Sequence, residues 1–451
     1  MKKRNIILYV GKIMDSAVES MRKYEKRTKQ KLRIAVIRDS KEKLSEKMRE
    51  KLEEQKIIII RADLNNPYKI TKALLPYEDE LLAVTCRGDM DIPNMARIVP
   101  HLPYLRTPTK DSLLWAVDKI MMRRRFTSYD RKITPKYTLV TDTKKKSLQK
   151  ISSKVSFPLV LKPADLGASL LVSICYHEDE LLDNLKKIFK KIKKIYKQEG
   201  RKMEPRVLVE QFMEGDMYSI DGYVNSRGKI YWCPPCHIKT GKAVGFDDFF
   251  GYQQLTPTLL KPKSVKKLEE VAQKATHAIG LRSTTVHIEF IRTEDGFKVI
   301  EIGPRVGGFR HEMYQMSFGI DHSLNDVLIR IPKTPKVPKR VRGYTAALKL
   351  FAKKEGRLSK LKGIKRIAKL KSFKSAKVNK KIGDLCRFAK NGGKSVVNVI
   401  LFNRNRSKLL ADIRRLEQTV EIDTKPKRKL TERKFRKRIK GEITKKKTKK
   451  T

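Results

Sequence analysis

The first hundred residues alternate short apolar runs with polar stretches whose apolar residues recur at helical spacing. The strand-length runs lie at 5–11, 33–39, 57–63 and 81–87, and the helical stretches between them include 15–29 and 41–55. Strands separated by helices are typical of βαβ units, in which the strands form a parallel sheet. The pattern therefore predicts an α/β fold for the start of the chain. No further glycines follow Gly11 at the spacing of a dinucleotide site, so we do not expect nucleotide binding there.

Composition divides the remaining chain into segments. Clusters of proline at 100–108 and 332–338 mark two linkers, and residues 425–451 carry 15 Lys or Arg against two Glu. Such a low-complexity basic segment is typical of disordered chain. We therefore predict four parts, which are an α/β domain at 1–105, a larger central module at 106–330, a small α/β module at 341–423 and a disordered basic tail at 425–451.

The chain is strongly basic. Its 451 residues include 105 Lys and Arg but only 49 Asp and Glu, which gives a net charge of +56 at pH 7. A charge of this sign favours polyanionic partners such as nucleic acid or nucleotide phosphate. Much of the excess lies in 186–202, 353–381 and the tail, away from the candidate site residues. It therefore indicates at most nonspecific nucleic-acid contact through the tail.

Cysteine content and hydropathy indicate a reduced, cytoplasmic setting. Five cysteines in 451 residues are too few, and odd in number, for a disulfide framework. No apolar run approaches the roughly 20 residues that a transmembrane helix requires. We therefore expect a cytoplasmic protein with no membrane partner, and the sequence leaves open whether it forms a homodimer.

The stretch 284–308 carries the strongest chemical signal. Two predicted strands meet at a hairpin turn at 294–296, with Glu289 in the first strand and Glu301 in the second. The hairpin can bring both carboxylates to one face, where they would suit Mg²⁺, an ion that takes its remaining ligands from water and substrate phosphates. Arg305 follows closely enough to hold the same phosphate or a developing oxyanion. The alternative is two exposed acidic residues beside an ordinary hairpin.

Two earlier stretches could contact a nucleotide. A predicted strand delivers Lys162 into a loop of small residues that includes Ser169, and small residues let backbone N–H groups approach a phosphate. A later strand ends in Glu210 and continues through Gln211 to Met213, a short segment that could read the edge of an adenine. Each stretch taken alone is more often structural than functional.

Taken in order, the three stretches resemble the ATP-grasp superfamily of ATP-dependent carboxylate ligases. The resemblance covers residues 106–330 and includes the motifs H-I-E at 287–289 and I-E-I-G-P-R at 300–305. It implies an α/β ATP-grasp fold with a Rossmann-like pre-ATP-grasp domain at 1–105 and a catalytic ATP-grasp module of two subdomains. The segment 341–423 is similar to the small C-terminal α/β module of L-amino-acid ligases.

The resemblance also implies roles for individual residues. Glu289 and Glu301 match the two ligands of Mg²⁺ (or Mn²⁺), and Arg305 matches the catalytic arginine that stabilises the acyl-phosphate and the tetrahedral intermediate. Lys119 and Lys162 match the two lysines on the ATP phosphates, and Lys162 is expected to be catalytic as well. The full set of residues expected to bind ATP is Lys119, Lys162, Ser169, Glu210, Gln211, Met213 and Asp216.

Three positions depart from the family pattern. Many members have an Asn where this chain has Gly303, a ribose-binding Glu where it has Met217, and a Gly where it has Leu171. Asp216 or Asp221 could replace the missing ribose ligand. These changes leave two interpretations open, which are an altered nucleotide geometry and a degenerate, weakly active enzyme.

The main hypothesis is an ATP- and Mg²⁺-dependent ligase that joins a small-molecule carboxylate to an amine, with amino acids as the expected substrates. The resemblance implies an acyl-phosphate intermediate and ADP as a product. Two alternatives stay open. The chain could act on a protein tail or carboxylate a metabolite, or it could be a catalytically decayed protein that binds nucleotide and RNA.

Overall fold

The computed structural model describes residues 4–164, 166, 170–199, 203–246 and 248–426. The predicted tail at 425–451 therefore lies almost entirely outside the described residues. Within the described ranges, no helix is both long and apolar enough to cross a membrane.

The first sheet is entirely parallel, as the alternation of strands and helices predicts. Its strands are β1 (Ile6–Val10), β2 (Arg33–Asp39), β3 (Ile57–Ala62) and β4 (Leu81–Cys86), in the order β3–β2–β1–β4. The helices are α1 (Asp15–Thr28), α2 (Glu46–Glu54), α3 (Pro67–Leu74) and α4 (Ile92–Ile98). All of β1 is buried because apolar side chains pack on both faces of the sheet. The helix predicted at 41–55 begins only at Glu46, since the Asp39 carboxylate accepts a hydrogen bond from the N–H of Lys41 and holds a turn there.

A second, antiparallel sheet follows a pair of linking helices. The elements are α5 (Lys110–Val117), α6 (Lys119–Tyr129), β5 (Tyr137–Val140), α7 (Lys145–Lys154), β6 (Leu159–Pro163), β7 (Ser173–Cys175), α8 (Glu178–Glu199) and β8 (Val207–Gln211), with the strands in the order β5–β8–β6–β7. The periodicity predicts one helix from Lys110 onward, but Asp118 divides it. Its carboxylate caps α6 by accepting hydrogen bonds from the N–H groups of Ile120 and Met121. Lys119 therefore opens α6 instead of lying in the middle of a helix.

The third sheet begins with the strands that carry the acidic motifs. Its first elements are β9 (Asp216–Val224), β10 (Ile230–Trp232), β11 (Cys236–Thr240), β12 (Gly251–Thr256), α9 (Pro262–Ile279), β13 (Thr284–Thr293), β14 (Gly296–Gly303), α10 (Arg310–Phe318) and α11 (His322–Arg330). The predicted hairpin is confirmed, because β13 and β14 pair across a turn at 294–295. β13 lies between β9 and β14, so the H-I-E strand is held on both sides.

The last described segment continues the third sheet. Its elements are β15 (Tyr344–Leu350), β16 (Gly356–Lys362), α12 (Ile364–Ile367), β17 (Phe373–Val378), β18 (Leu385–Cys386), β19 (Val397–Asn403), α13 (Arg406–Thr419) and β20 (Glu421–Lys425). β15 pairs with β12, which extends the sheet to the order β14–β13–β9–β11–β12–β15–β19–β17 with β10 beside β9. The strands β18, β16 and β20 form a separate small sheet. The proline-rich linker at 332–338 thus separates in sequence two segments that share one sheet in space.

A buried carboxylate joins the first sheet to the third. Asp326 of α11 accepts hydrogen bonds from the hydroxyl of Thr85 in β4 at 2.7 Å and from the hydroxyl of Thr285 in β13 at 2.6 Å. It also pairs with the buried Arg330 at 3.1 Å. Burial alone would raise the pKa of Asp326, but Arg330 and the two hydroxyls hold that pKa below its ordinary value. α11 thereby fixes the first sheet against the strand that carries Glu289.

We expect Asp326→Ala to lower the free energy of unfolding by about 3–5 kcal/mol, because it leaves the Arg330 guanidinium buried without a counter-ion. Urea unfolding followed by circular dichroism measures the loss. Asp423→Ala is the matched control, since Asp423 is exposed and its 3.8 Å pair with Lys360 contributes little. Equal losses in the two variants would contradict the anchoring role of Asp326.

Candidate active site

The centre of the site is a pair of carboxylates on neighbouring strands. Glu289 of β13 lies directly opposite Glu301 of β14 in the antiparallel ladder, so both side chains leave the same face of the sheet. Burial, and then repulsion from Glu289, raises the pKa of Glu301. Burial acts in the same direction on Glu289, but the hydrogen bond from His287 and nearby arginine charges hold its pKa below the ordinary value. A divalent cation would relieve the repulsion between the two carboxylates, so the pair fits Mg²⁺ or Mn²⁺.

A fully buried carboxylate supports this pair from within the protein. Asp221 of β9 accepts hydrogen bonds from His287 Nδ1 at 2.7 Å and from His322 Nε2 at 2.9 Å. The N–H of Gly307 donates a third, at 2.8 Å. Burial would raise the pKa of Asp221, but the two histidines hold it well below the ordinary range. Nε2 of His287 in turn lies 3.3 Å from Oε1 of Glu289, so Asp221 orients His287 and, through it, Glu289.

The N-terminal domain reaches into the site from the end of β4. Asp89, in a 3₁₀ turn at Asp89–Asp91, accepts hydrogen bonds from Arg305 Nε at 2.7 Å and from Arg305 Nη2 at 2.6 Å. Arg87 donates to the carbonyl of Val306 at 2.8 Å. Neither Arg87 nor Asp89 is among the site residues predicted from the sequence. Their position just after a parallel strand was a usable signal, because ligand sites of open α/β sheets lie at the carboxyl ends of the strands.

A cleft of about 360 Å³ opens beside these groups. Its lining residues are Arg87, Gly88, Asp89, Gln254, His287, Glu289, Arg305, Val306, Gly308, Arg310 and Lys349. The lining has more cationic than anionic side chains, so the cleft suits small anionic ligands. Gln254, Arg310 and Lys349 were not predicted. Gln254 and Lys349 come from strands that are distant in sequence from the acidic motifs, whereas Arg310 opens the helix that follows Arg305.

The predicted nucleotide residues form a second cluster around Glu210. Its carboxylate is buried and accepts hydrogen bonds from Lys162 Nζ at 2.6 Å and from Arg123 Nε at 2.5 Å. Burial would raise the pKa of Glu210, but the two cations lower it to about 2. The structure therefore brings Lys162 and Glu210 together. Each oxygen of Glu210 already accepts one hydrogen bond, and the role expected for this side chain at an adenine edge stays a prediction.

The segment after β8 includes backbone donors that make no hydrogen bond to a described residue. The N–H of Gln211 donates to the carbonyl of Lys136 at 2.9 Å. The N–H of Met213, two residues later, makes no hydrogen bond to any residue that the structure describes. A backbone donor of this kind can read the edge of an adenine.

The remaining residues predicted to bind ATP include Lys119, Ser169 and Asp216, and each has different surroundings. Lys119 Nζ donates a hydrogen bond to the carbonyl of Leu166 at 2.9 Å, which places it at the loop that follows β6. Ser169 lies outside the described residues. Of the two suggested ribose ligands, Asp216 is exposed, whereas Asp221 is fully buried and already holds three donors. The ribose role suggested for Asp221 is therefore wrong.

Two departures from the family pattern have a physical account. Leu171 adopts a φ of +59°, the left-handed conformation that suits glycine, and its N–H donates to the carbonyl of Lys390 at 2.9 Å. The backbone conformation expected of a glycine is thus kept at this position. At Gly303, an added Cβ would lie 3.2 Å from Asp89 Oδ1. The pair of Asp89 and Arg305 therefore occupies the space that a larger side chain at 303 would need.

Comparison with known proteins identifies the central module and the fold. Residues 155–312 match the ATP-grasp domain family. An uncharacterized protein of Sinorhizobium fredii is 28% identical over 239 residues, which cover 51% of this chain and 46% of that protein. The alanine–anticapsin ligase of Bacillus subtilis is 27% identical over 218 residues, which cover 46% of this chain and 44% of the ligase. The chain spans about half the length of the curated relatives it matches.

The crystal structure of an L-amino acid ligase from Bacillus licheniformis resembles the whole fold. It superposes with a TM-score of 0.76 at 15% identity, and the match covers 94% of this chain and 100% of that chain. At this level of identity the likeness establishes the fold alone. The predicted α/β ATP-grasp fold is confirmed.

We expect Gly307→Ala to lower the free energy of unfolding by about 1–3 kcal/mol, because the buried pair of His287 and Asp221 must shift to admit a methyl group. An added Cβ would lie 2.5 Å from His287 Nδ1 and 2.9 Å from Asp221 Oδ2. Urea unfolding measures the change. Gly308→Ala is the matched control and should be nearly neutral, since nothing lies within 4 Å of an added Cβ there. Similar losses at both positions would argue against this close packing.

We expect the pH dependence of stability to change in Glu210→Gln. The pKa of Glu210 is about 2 in the fold against 4.5 ordinarily, so its stabilising charge is fully present above pH 4.5 and is lost as the pH falls toward 2. The variant should be less stable than the wild type at pH 7, and the difference should shrink between pH 4.5 and 2. Unfolding temperatures across this range test it, with the exposed Glu54→Gln as control. A pH-independent difference would contradict the pairing of Glu210 with its two cations.

Proposed function

The chain contains an ATP-grasp domain, and from this premise we propose that it is an ADP-forming ligase that joins a carboxylate to an amine. The observation that carries the proposal is the cross-strand pair of Glu289 and Glu301 beside a cleft of net positive charge. Two carboxylates and an excess of cations are what the transfer of a phosphoryl group between anionic molecules requires. The similarity to alanine–anticapsin ligase supports the same reaction class.

ATP is the proposed phosphoryl donor. Lys119 and Lys162 would contact its phosphates, with Ser169 as a further predicted contact outside the described residues. The free N–H of Met213, with Gln211 beside it, would read the adenine edge, and the exposed Asp216 would contact the ribose. If Lys162 turns toward a phosphate, Arg123 still compensates the charge of Glu210.

Glu289 and Glu301 would hold Mg²⁺ or Mn²⁺. The described residues offer no cluster of three metal-binding side chains, so phosphate oxygens and water would complete the coordination. When bound, such an ion neutralises the phosphates and stabilises the charge that develops during transfer. The protein contributes the orientation of Glu289, which His287 and Asp221 fix through their hydrogen bonds.

Arg305 is the proposed catalytic arginine. In the proposed reaction the γ-phosphoryl group of ATP passes to the substrate carboxylate, which gives ADP and an acyl-phosphate. The amine then attacks the acyl carbon, phosphate leaves, and the amide bond forms. Arg305 would neutralise the acyl-phosphate and the oxyanion of the tetrahedral intermediate, and its two hydrogen bonds to Asp89 fix the plane of its guanidinium beforehand.

We propose amino acids as the substrates, because the cleft of about 360 Å³ is small and carries both signs of charge. Its cationic side chains suit the carboxylates of such substrates. A decayed active site is the weaker alternative, since Leu171 keeps the conformation of a glycine and the space beside Gly303 is filled by a substrate-facing ion pair. A protein tail or a metabolite carboxylation would use the same carboxylate pair.

We expect the protein to release ADP from MgATP when a suitable acid and hydroxylamine are supplied, because hydroxylamine attacks an acyl-phosphate to give a hydroxamate and phosphate. The screen covers the common amino acids and simple organic acids, with ADP measured by a coupled assay and the hydroxamate as its ferric complex. Glu301→Gln should lower the rate of hydroxamate formation by about 100-fold or more, because one of the two metal-binding carboxylates loses its charge.

Glu294→Gln is the control for this variant, because Glu294 is exposed in the turn of the same hairpin. If Glu301→Gln forms hydroxamate at the wild-type rate, the assignment of Glu301 as a metal ligand is wrong. No hydroxamate from any acid, although ATP binds, would contradict the ligase proposal and favour the decayed nucleotide-binding alternative.

A further inference from the structure

Lys349 is a cation of the cleft whose ammonium donates to no residue that the structure describes. It lies on β15 and lines the cleft, and its ammonium makes no hydrogen bond or ion pair with any described residue. The ring of Phe309 lies 5.7 Å from its Nζ. Burial lowers the pKa of Lys349, and the charge of Glu289 only partly offsets that effect. A cation removed from water in this way is stabilised when an anion binds beside it.

The arginines of the cleft are already committed to the protein. Arg305 pairs with Asp89, and Arg87 donates to the backbone after β14. Arg310 is buried, and its two terminal nitrogens each donate to a neutral side chain at 2.6 Å. These hydrogen bonds hold the three arginine side chains in place along the side of the cleft. Among the cations that line the cleft, Lys349 is the one whose ammonium makes no hydrogen bond to a described residue, so a second anionic group that enters the cleft would bind there.

We propose that Lys349 binds the carboxylate of the amine substrate, which makes that substrate an amino acid and the product a peptide-like amide with a free carboxylate. The inference rests on the proposed ligase function. The activated carboxylate becomes an acyl-phosphate and has Arg305 to neutralise it. The carboxylate of the attacking amino acid stays an anion from binding to release, so it needs a cation of its own throughout.

The test compares acceptors that differ only in this carboxylate. The donor acid is first identified by the hydroxamate that it forms. It is then supplied in isotopically labelled form at saturating concentration. Two pools of acceptors compete for it, which are the twenty common amino acids and their α-amides. Mass spectrometry gives the ratio of labelled products. The wild type should favour the amino acids, and Lys349→Met should lower that preference by about 10- to 100-fold, because a charge-assisted hydrogen bond is lost. Lys349→Arg should keep most of it, since the cation remains.

Lys353→Met is the matched control and should leave the preference unchanged, because Lys353 is exposed on the segment after β15. An equal fall with both pools in Lys349→Met would overturn the proposal, since Lys349 would then serve the fold or the activated carboxylate. A wild-type protein that does not discriminate between the pools would overturn it too. If the wild-type protein forms no hydroxamate, the proposed ligase function itself is wrong. This outcome can be told apart from a failure of the Lys349 proposal, because hydroxamate formation is measured before any amino acid or amide is added as acceptor.

Discussion

A carboxylate with no exposure to water has to be neutralised by its neighbours, and Asp221 is the residue at which this requirement organises the site. Its two oxygens hold an imidazole from β13, an imidazole from α11 and a backbone N–H from the loop after β14. Each of these partners carries a further part of the site. The imidazole of His287 orients Glu289, the loop carries Arg305, and α11 carries Asp326. The geometry of the carboxylate pair therefore depends on a residue that no substrate can reach.

The cleft exists because three segments that are distant in sequence meet at its walls. Asp89 comes from the end of the first sheet, Glu289 from the central hairpin, and Lys349 from a strand that follows the proline-rich linker. The pairing of β15 with β12 and the hydrogen bonds of Asp326 hold these segments in register. Charges that are fixed by separate segments can be matched closely to two substrates at once.

Two of the residues predicted to bind ATP, Lys162 and Glu210, form an ion pair with each other in this structure. Arg123 completes this buried ion pair, so the Glu210 carboxylate stays charged where burial alone would neutralise it. At one position where the chain departs from the family pattern, a hydrogen bond to a neighbouring backbone group likewise stabilises the changed residue. Leu171 occupies a conformation that suits glycine, and the bond from its N–H to the Lys390 carbonyl helps to hold it there.

The sequence by itself determined the features that depend on neighbouring residues. The alternation of strands and helices specifies the parallel first sheet, and the hairpin turn places Glu289 and Glu301 on neighbouring strands. A regular hairpin would set Glu289 opposite Ile300, and the bulge between Glu289 and Phe290 in the folded protein is what sets it opposite Glu301. Only the tertiary structure decided which charges meet. Asp89 and Arg305 are 216 positions apart, and Lys349 reaches the cleft only because β15 joins the third sheet. Burial and charge pairing arise from such distant contacts, so no spacing within the sequence could report that Glu210 is enclosed, that Asp221 holds three donors or that the Lys349 ammonium makes no hydrogen bond to a described residue.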